Sequence, residues 1–195
     1  MINDLRNKSL IASGDQKKFR QLMELTSDDL LLFAMGFLKD KETAEEIVSD
    51  VFVKIWNNRK DFLKVQNIRS YLFISVKNGC LSHLRKIKNN NIISIDDFND
   101  FHFLPVEGPE DDLIEQETVN LIYQAIEKLP PKCKLAFTLA KVNGLKYKEI
   151  AEIMNVSEKT VNNHLVNAIS KISEILSITK KSKDKPVSMN RASLF

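Results

Sequence analysis

Residues 157–164 read Ser-Glu-Lys-Thr-Val-Asn-Asn-His, a dense run of side chains that can address a base edge or a phosphate. Lys159 can donate to phosphate or guanine, Asn162 and Asn163 can each pair with two atoms of adenine, and Glu158 can accept from cytosine. His164 in the same run fits either packing or phosphate donation. The residues before the run supply a frame for it. Ile150 and Ala151 belong to a short helix, and Ala151 is small enough for a close helix crossing. Asn155 suits a turn that needs positive φ, Val156 fills the corner, and Ser157 is an N-cap. Thr160, three residues on, replaces the Glu or Gln of a full capping box. Val161, Leu165, Ala168, Ile169 and Ile172 then give the second helix its buried stripe. Tyr147–Ile172 therefore reads as a helix-turn-helix, whose second helix enters a major groove and presents its N-terminal residues to the bases.

A second set lies upstream. Arg69, Lys77, Arg85 and Lys86 form a basic edge on a helix over 68–88, with Trp56, Phe62 and Phe73 nearby. Positive charge for phosphates and flat rings for unstacked bases are what a single-stranded nucleic acid requires. Catalytic chemistry has no comparable support. His83, His102 and His164 are scattered, Asp96-Asp97 falls in a stretch without helical period, and neither a phosphate loop nor an HExxH pattern occurs. Cys80 and Cys133 have no second ligand at short spacing, so they read as buried thiols of a reducing compartment rather than as a metal site. No metal, no cofactor and no enzyme activity are expected.

The elements that must position these residues are helices. The chain has 195 residues and only five Gly and five Pro, too little turn punctuation for a sheet-rich fold. Ala44, Ile47, Val48, Val51, Phe52, Ile55 and Trp56 recur at i, i+3, i+4, i+7, i+8, i+11 and i+12, which places all seven on one helix face. Thr43 is the expected cap of that helix, with Glu46 closing a capping box, and Asn57-Asn58 is its stop. Upstream, residues 10–38 read as helical with a break and new cap at Thr26-Ser27-Asp28-Asp29. Downstream, residues 113–129 read as a helix, Pro130-Pro131 as a stop and restart, and Gly144 as a left-handed turn.

Formal net charge is +3, and the distribution says more than the sum. Residues 96–115 carry eight acidic side chains and no Lys or Arg, between two basic-ended helical segments; such a stretch reads as a linker. The expected architecture is all-α: two small helical domains joined by a flexible acidic linker. Residues 1–90 form the first domain, 91–112 the linker, 113–176 the second domain and 177–195 a disordered tail. The N-terminus lacks a signal pattern and no run of about 18 apolar residues occurs, so a cytoplasmic protein without a membrane span is expected.

Three stretches in order resemble one family. Residues 44–56 (AEEIVSDVFVKIW) are similar to the second helix of the N-terminal domain of extracytoplasmic-function sigma factors. Residues 69–78 (RSYLFISVKN), continuing to Leu84-Arg85-Lys86, resemble the segment that follows. Leu129-Pro130-Pro131, Tyr147–Ala151 and residues 156–161 (VSEKTV) resemble the C-terminal domain. The wording looks most like the Bacteroidetes branch. The resemblance implies that Glu46, Asp50, Val53, Lys54 and Asn57 dock on the clamp of the largest subunit of bacterial RNA polymerase core. It implies that Arg69, Tyr71, Lys77, Asn78, Arg85 and Lys86 contact the −10 element, with the loop 62–67 helping to form a pocket for a flipped base. It assigns Ser157, Glu158, Lys159, Thr160, Asn162, Asn163 and His164 to the −35 element of promoter DNA, and the C-terminal domain to the flap of the second-largest subunit. An anti-sigma factor is a further partner common in the family.

Departures from the family pattern are Tyr71 where many members have Trp, Gly79 where many have a basic residue, and Asn162, Asn163 and His164 where Arg or Lys is frequent. They imply an adenine-containing −35 element and modest intrinsic DNA affinity. Two other readings stand beside this one. A stand-alone helix-turn-helix regulator has no use for the helix at 44–56, and a helical polymerase-interaction module would use the same core-binding face without opening promoter DNA.

Overall fold

The computed structural model describes residues 5–87, 101–103 and 113–183. The regular elements among these are all helical: α1 (Leu5–Ala12), α2 (Gln16–Leu38), α3 (Lys41–Asn57), a 3-10 turn (Arg59–Lys64), α4 (Ile68–Ile87), α5 (Leu113–Glu127), α6 (Pro131–Lys141), α7 (Tyr147–Met154) and α8 (Glu158–Lys183). The helices α1–α4 pack together as one bundle and α5–α8 as another. α7 lies against α4, so the two bundles touch. Most of the acidic stretch and residues 184–195 of the expected tail lie outside the described residues. No described helix is long and apolar enough to cross a membrane.

The apolar stripe of α3 goes where its period sends it. Ala44, Val48, Val51, Phe52 and Ile55 are buried, and Ile47 and Trp56 pack half-buried against them. The helix starts earlier than Thr43, however. Asp40 is the N-cap and its carboxylate accepts from Thr43 N at 2.9 Å. Asp reaches the free amides of the first turn as well as Thr does and adds a negative charge at the positive helix end.

The break expected at Thr26–Asp29 does not form, and α2 runs through it. Thr26 Oγ1 donates to Leu22 O at 2.8 Å and Ser27 Oγ to Met23 O at 2.7 Å. A hydroxyl bonded back to the carbonyl four residues earlier is satisfied inside a helix and does not need to cap a new one. α2 ends instead at Lys39, which adopts φ 59° and donates its N–H to Met35 O. Further along, Asn155 (φ 53°) and Gly144 (φ 60°) take the left-handed turns expected of them.

Gly79 has a structural reason. A Cβ there would lie 2.8 Å from Ile47 Cγ2, so any side chain at 79 would require Ile47 to shift where α3 and α4 pack. Two other expectations differ. Ile169, placed in the buried stripe of α8, is 53% exposed, while Val161, Leu165 and Ala168 are buried and Ile172 packs half-buried beyond it; the covered stripe runs through 161, 165, 168 and 172 and leaves 169 to one side. α8 also continues past 177 to Lys183.

Candidate nucleic-acid interface

The polar face of α3 is open. Glu46, Asp50, Val53, Lys54 and Asn57 are all exposed, and Val53 is the outlier among them, an apolar side chain 57% exposed. It borders an apolar groove between α2 and α3 lined by Phe19, Met23, Phe52 and Trp56. Trp56 is held by Phe19 at 5.0 Å and by the Arg59 guanidinium, 5.0 Å from its ring. An apolar groove with charged ends is a surface that a partner helix can bury.

Five of the six candidate residues of α4 divide between two sides. Tyr71, Asn78 and Lys86 recur at helical spacing and line a cleft shared with Glu46, Asp50 and Lys54 of α3. Tyr71 is 39% exposed and meets the edge of Phe62 at 6.4 Å. Arg69 and Lys77 point the other way, into the C-terminal half. Arg69 Nη2 donates to Asp29 Oδ2 at 2.9 Å and to the carbonyl of Asn143. Lys77 is 3% exposed, and its Nζ donates to Ile153 O at 2.8 Å, near the end of α7. Arg85 is half-buried.

Asn67, in the loop expected to help hold a flipped base, is engaged twice over. Its Oδ1 accepts from Ser70 N at 3.1 Å, capping α4, and its Nδ2 donates to Glu149 Oε1 at 3.0 Å. Glu149 in turn accepts from Lys146 N with its other oxygen, at 2.9 Å, which closes the start of α7. Asn143 Nδ2 completes the set with a 3.4 Å bond to Asp29 O. The partners Asp29, Asn143, Glu149 and Ile153 carry no signal in the sequence. Asp29 meets α4 from α2, and the other three meet it because α7 and the turn before it pack on α4.

At the start of α8 the geometry is the reverse. Ser157 Oγ accepts from Thr160 N at 3.1 Å, so the hydroxyl caps the helix as its position predicts. Glu158, Lys159, Asn162 and Asn163 project from the first turns and are exposed; Thr160 is half-buried. His164 turns inward, with Nδ1 3.7 Å from Cys133 Sγ of α6. Burial, and then the nearby charge of Lys132, hold its pKa below the usual histidine value. Burial also raises the thiol pKa values, that of Cys80 to about 12. Neither cysteine is a thiolate near neutrality.

The descriptions of two known protein families match this chain, Sigma-70 region 2 over residues 22–90 and Sigma-70 region 4 over 120–180. The chain belongs to the sigma-70 family. The sigma-E factor of Haemophilus influenzae is 24% identical over 178 residues, covering 86% of this chain and 94% of that one. The sigma-H factor of Pseudomonas aeruginosa is 24% identical over 173 residues, covering 85% and 90%. The fold is shared with CnrH, solved in complex with the cytosolic domain of CnrY (TM-score 0.61, 20% identity, 90% of this chain and 98% of that one). It is shared also with the sigma factor RpoE of Bartonella quintana, solved with the anti-sigma factor NepR (TM-score 0.59, 22% identity, 83% and 98%). As a sigma factor the protein is a non-catalytic component of transcription initiation, acting with RNA polymerase at promoters.

Proposed function

We propose that this sigma factor docks on the clamp of the largest polymerase subunit through the exposed α3 face, with Val53 and its neighbouring groove as the apolar centre and Glu46, Asp50, Lys54 and Asn57 as the polar rim. α4 then meets the −10 element. Tyr71 offers a ring to an unstacked base, Asn78, Arg85 and Lys86 offer polar and charged contacts beside it, and Arg69 and Lys77 reach the strand once the C-terminal half has moved away. α7 and α8 form a helix-turn-helix that reads the −35 element. Ser157 and Thr160 fix the start of its recognition helix, and Glu158, Lys159, Asn162 and Asn163 face the bases. The inward placement of His164 makes it a support for that helix, packed on Cys133. The C-terminal half rests on the flap of the second-largest subunit, and an anti-sigma factor covering the α3 face is the negative regulator. Most contacts to DNA are made in the assembled polymerase, so a formal charge of +3 is sufficient: linked sites raise each other's effective concentration.

The observation that carries this reading is the pairing of two exposed faces with two sigma-70 regions in chain order, the α3 face within the first and the α8 turns within the second. The test is genome-wide run-off transcription with core polymerase from a Bacteroidetes source, with and without this protein. New start sites sharing two spaced elements are the expected result. An active core that gains no start sites, while a control sigma factor works, would overturn it.

A further inference from the structure

Residues Phe101, His102 and Phe103, in the middle of the acidic stretch, are seated in both halves of the protein at once. Phe101 is 2% exposed and packs on α2, with its ring 5.0 Å from Phe37 and 6.2 Å from Phe33. The seat exists because position 36 is glycine. A Cβ on Gly36 would lie 2.5 Å from Phe101 Cε2 and 2.9 Å from Cζ. Glycine in a helix interior costs up to about 1 kcal/mol against alanine, and here it opens the space a buried ring fills. His102 N donates to Gly36 O at 2.7 Å, occupying one of the carbonyls that the end of α2 leaves without an intrahelical donor.

One residue on, Phe103 enters the other half. It is 8% exposed and belongs to an apolar cluster with Ile126, Leu129, Cys133 and Ala168, its ring 5.5 Å from Tyr123. Its N–H donates to Glu127 Oε1, and Glu127 Oε2 accepts from the nearly buried Lys134 at 2.7 Å. Three consecutive residues thus place one ring in each core and one backbone bond on each side. Burying a phenylalanine stabilises by roughly 1.5–3 kcal/mol. The halves also share an apolar contact, with Ile150, Ile153 and Met154 in the same buried cluster as Phe73 and Val76, and the two rings of the strap add to it.

We propose that Phe101–Phe103 is a clasp that keeps the free sigma factor closed, with Arg69 and Lys77 turned onto its own α7 side, and that the clasp must leave its seat before this side of α4 can meet DNA. The second part rests on the reading of α4 as the −10 surface; the first does not. Closure is self-masking. Lys77 cannot reach a phosphate while it is 3% exposed and bonded to Ile153 O. A partner that binds both halves apart, as polymerase would, removes the mask without any chemical signal.

Gly36→Ala is the discriminating variant, because it favours the helix that carries it while filling the seat of Phe101. Small-angle X-ray scattering of the full chain reads closure with no DNA present, and fluorescence anisotropy with a random-sequence 20-nucleotide single strand reads the mask. Gly36→Ala and Phe101→Ser are expected to keep helical content and enlarge the radius of gyration. If the open form is about one-fifth of the wild-type population, affinity for the strand rises about fivefold. Asn143→Ala, which removes the 3.4 Å bond from Asn143 Nδ2 to Asp29 O between the halves, is expected to move both readouts in the same direction by less. A folded Gly36→Ala chain that scatters like wild type overturns the clasp. A chain that opens but binds the strand no better overturns the mask. Failure of the run-off assay with scattering changed as expected strikes the assignment of promoter function and leaves the clasp standing.

Discussion

The first turns of α8 and the inner side of α4 look alike as strings of polar and basic residues, yet the fold treats them in opposite ways. Lys159, Asn162 and Asn163 project from a capped helix start and are exposed. Arg69 and Lys77 already have partners within the chain, at Asp29, Asn143 and Ile153. A lysine in a sequence announces a charge but not a recipient. The recipient is set by what packs within reach of the side chain, and for α4 that is α2, α7 and the turn before α7. One surface is therefore ready for a ligand as it stands, while the other must first give up contacts of its own.

The sharpest way to break that contrast is to substitute Asn162 and Asn163 together by alanine. A good two-point contact to a base is worth about 1–3 kcal/mol of discrimination. The double variant should lose roughly ten- to a hundredfold of −35 preference in competition binding with the polymerase holoenzyme. Thermal unfolding should stay within about 0.5 kcal/mol of wild type, as for other exposed positions. A large drop in stability would mean that this turn is engaged inside the chain after all.

Lys77→Met should behave differently. The apolar stem remains packed, but Ile153 O loses its donor, at a cost of about 1–3 kcal/mol for an unsatisfied buried acceptor. The urea midpoint should fall, and the scattering profile should shift toward the open form. Unchanged stability would show that the Lys77 contact contributes nothing to closure.

The smallest effect concerns His164. Its folded pKa lies below the unfolded value near 6.5, so the unfolded chain takes up the proton first as pH falls. The stability that comes from the neutral ring is complete above about pH 6.5 and is lost as pH drops toward the folded value. Wild type should therefore lose slightly more stability than His164→Asn between pH 7 and 5.5, measured by urea unfolding at both pH values. Equal losses would place His164 in solvent with its neighbours Asn162 and Asn163.

What the sequence made legible follows a simple division. Local periodicity and turn chemistry carried through: the α3 stripe, the left-handed Asn155 and the Ser157 cap are each determined within a few residues of chain. Features that need a distant partner did not. Thr26 and Ser27 look like a cap in one dimension, and only a finished helix offers them the Leu22 and Met23 carbonyls. The second buried side of α4, with Phe73 and Lys77, has no period of its own to reveal it. Phe101 and Phe103 sit among acidic residues with no helical pattern, and Gly36 reads as a weak point in a helix until the ring that fills it is seen. Of the candidate residues, the accessibility of each was not readable: Lys77 and His164 turn inward while Asn162 and Asn163 stay exposed.

The seat at Gly36 also governs reach. With Phe101 and Phe103 in place, the chain from 88 to 100 can span at most about 45 Å and that from 104 to 112 about 30 Å, each measured from an anchored point. Unseated, the whole connection from 88 to 112 becomes one tether of up to about 90 Å. The absence of a single methyl group near the end of α2 therefore decides whether the two halves of the molecule move as one short block or can be drawn apart like two hands on a rope.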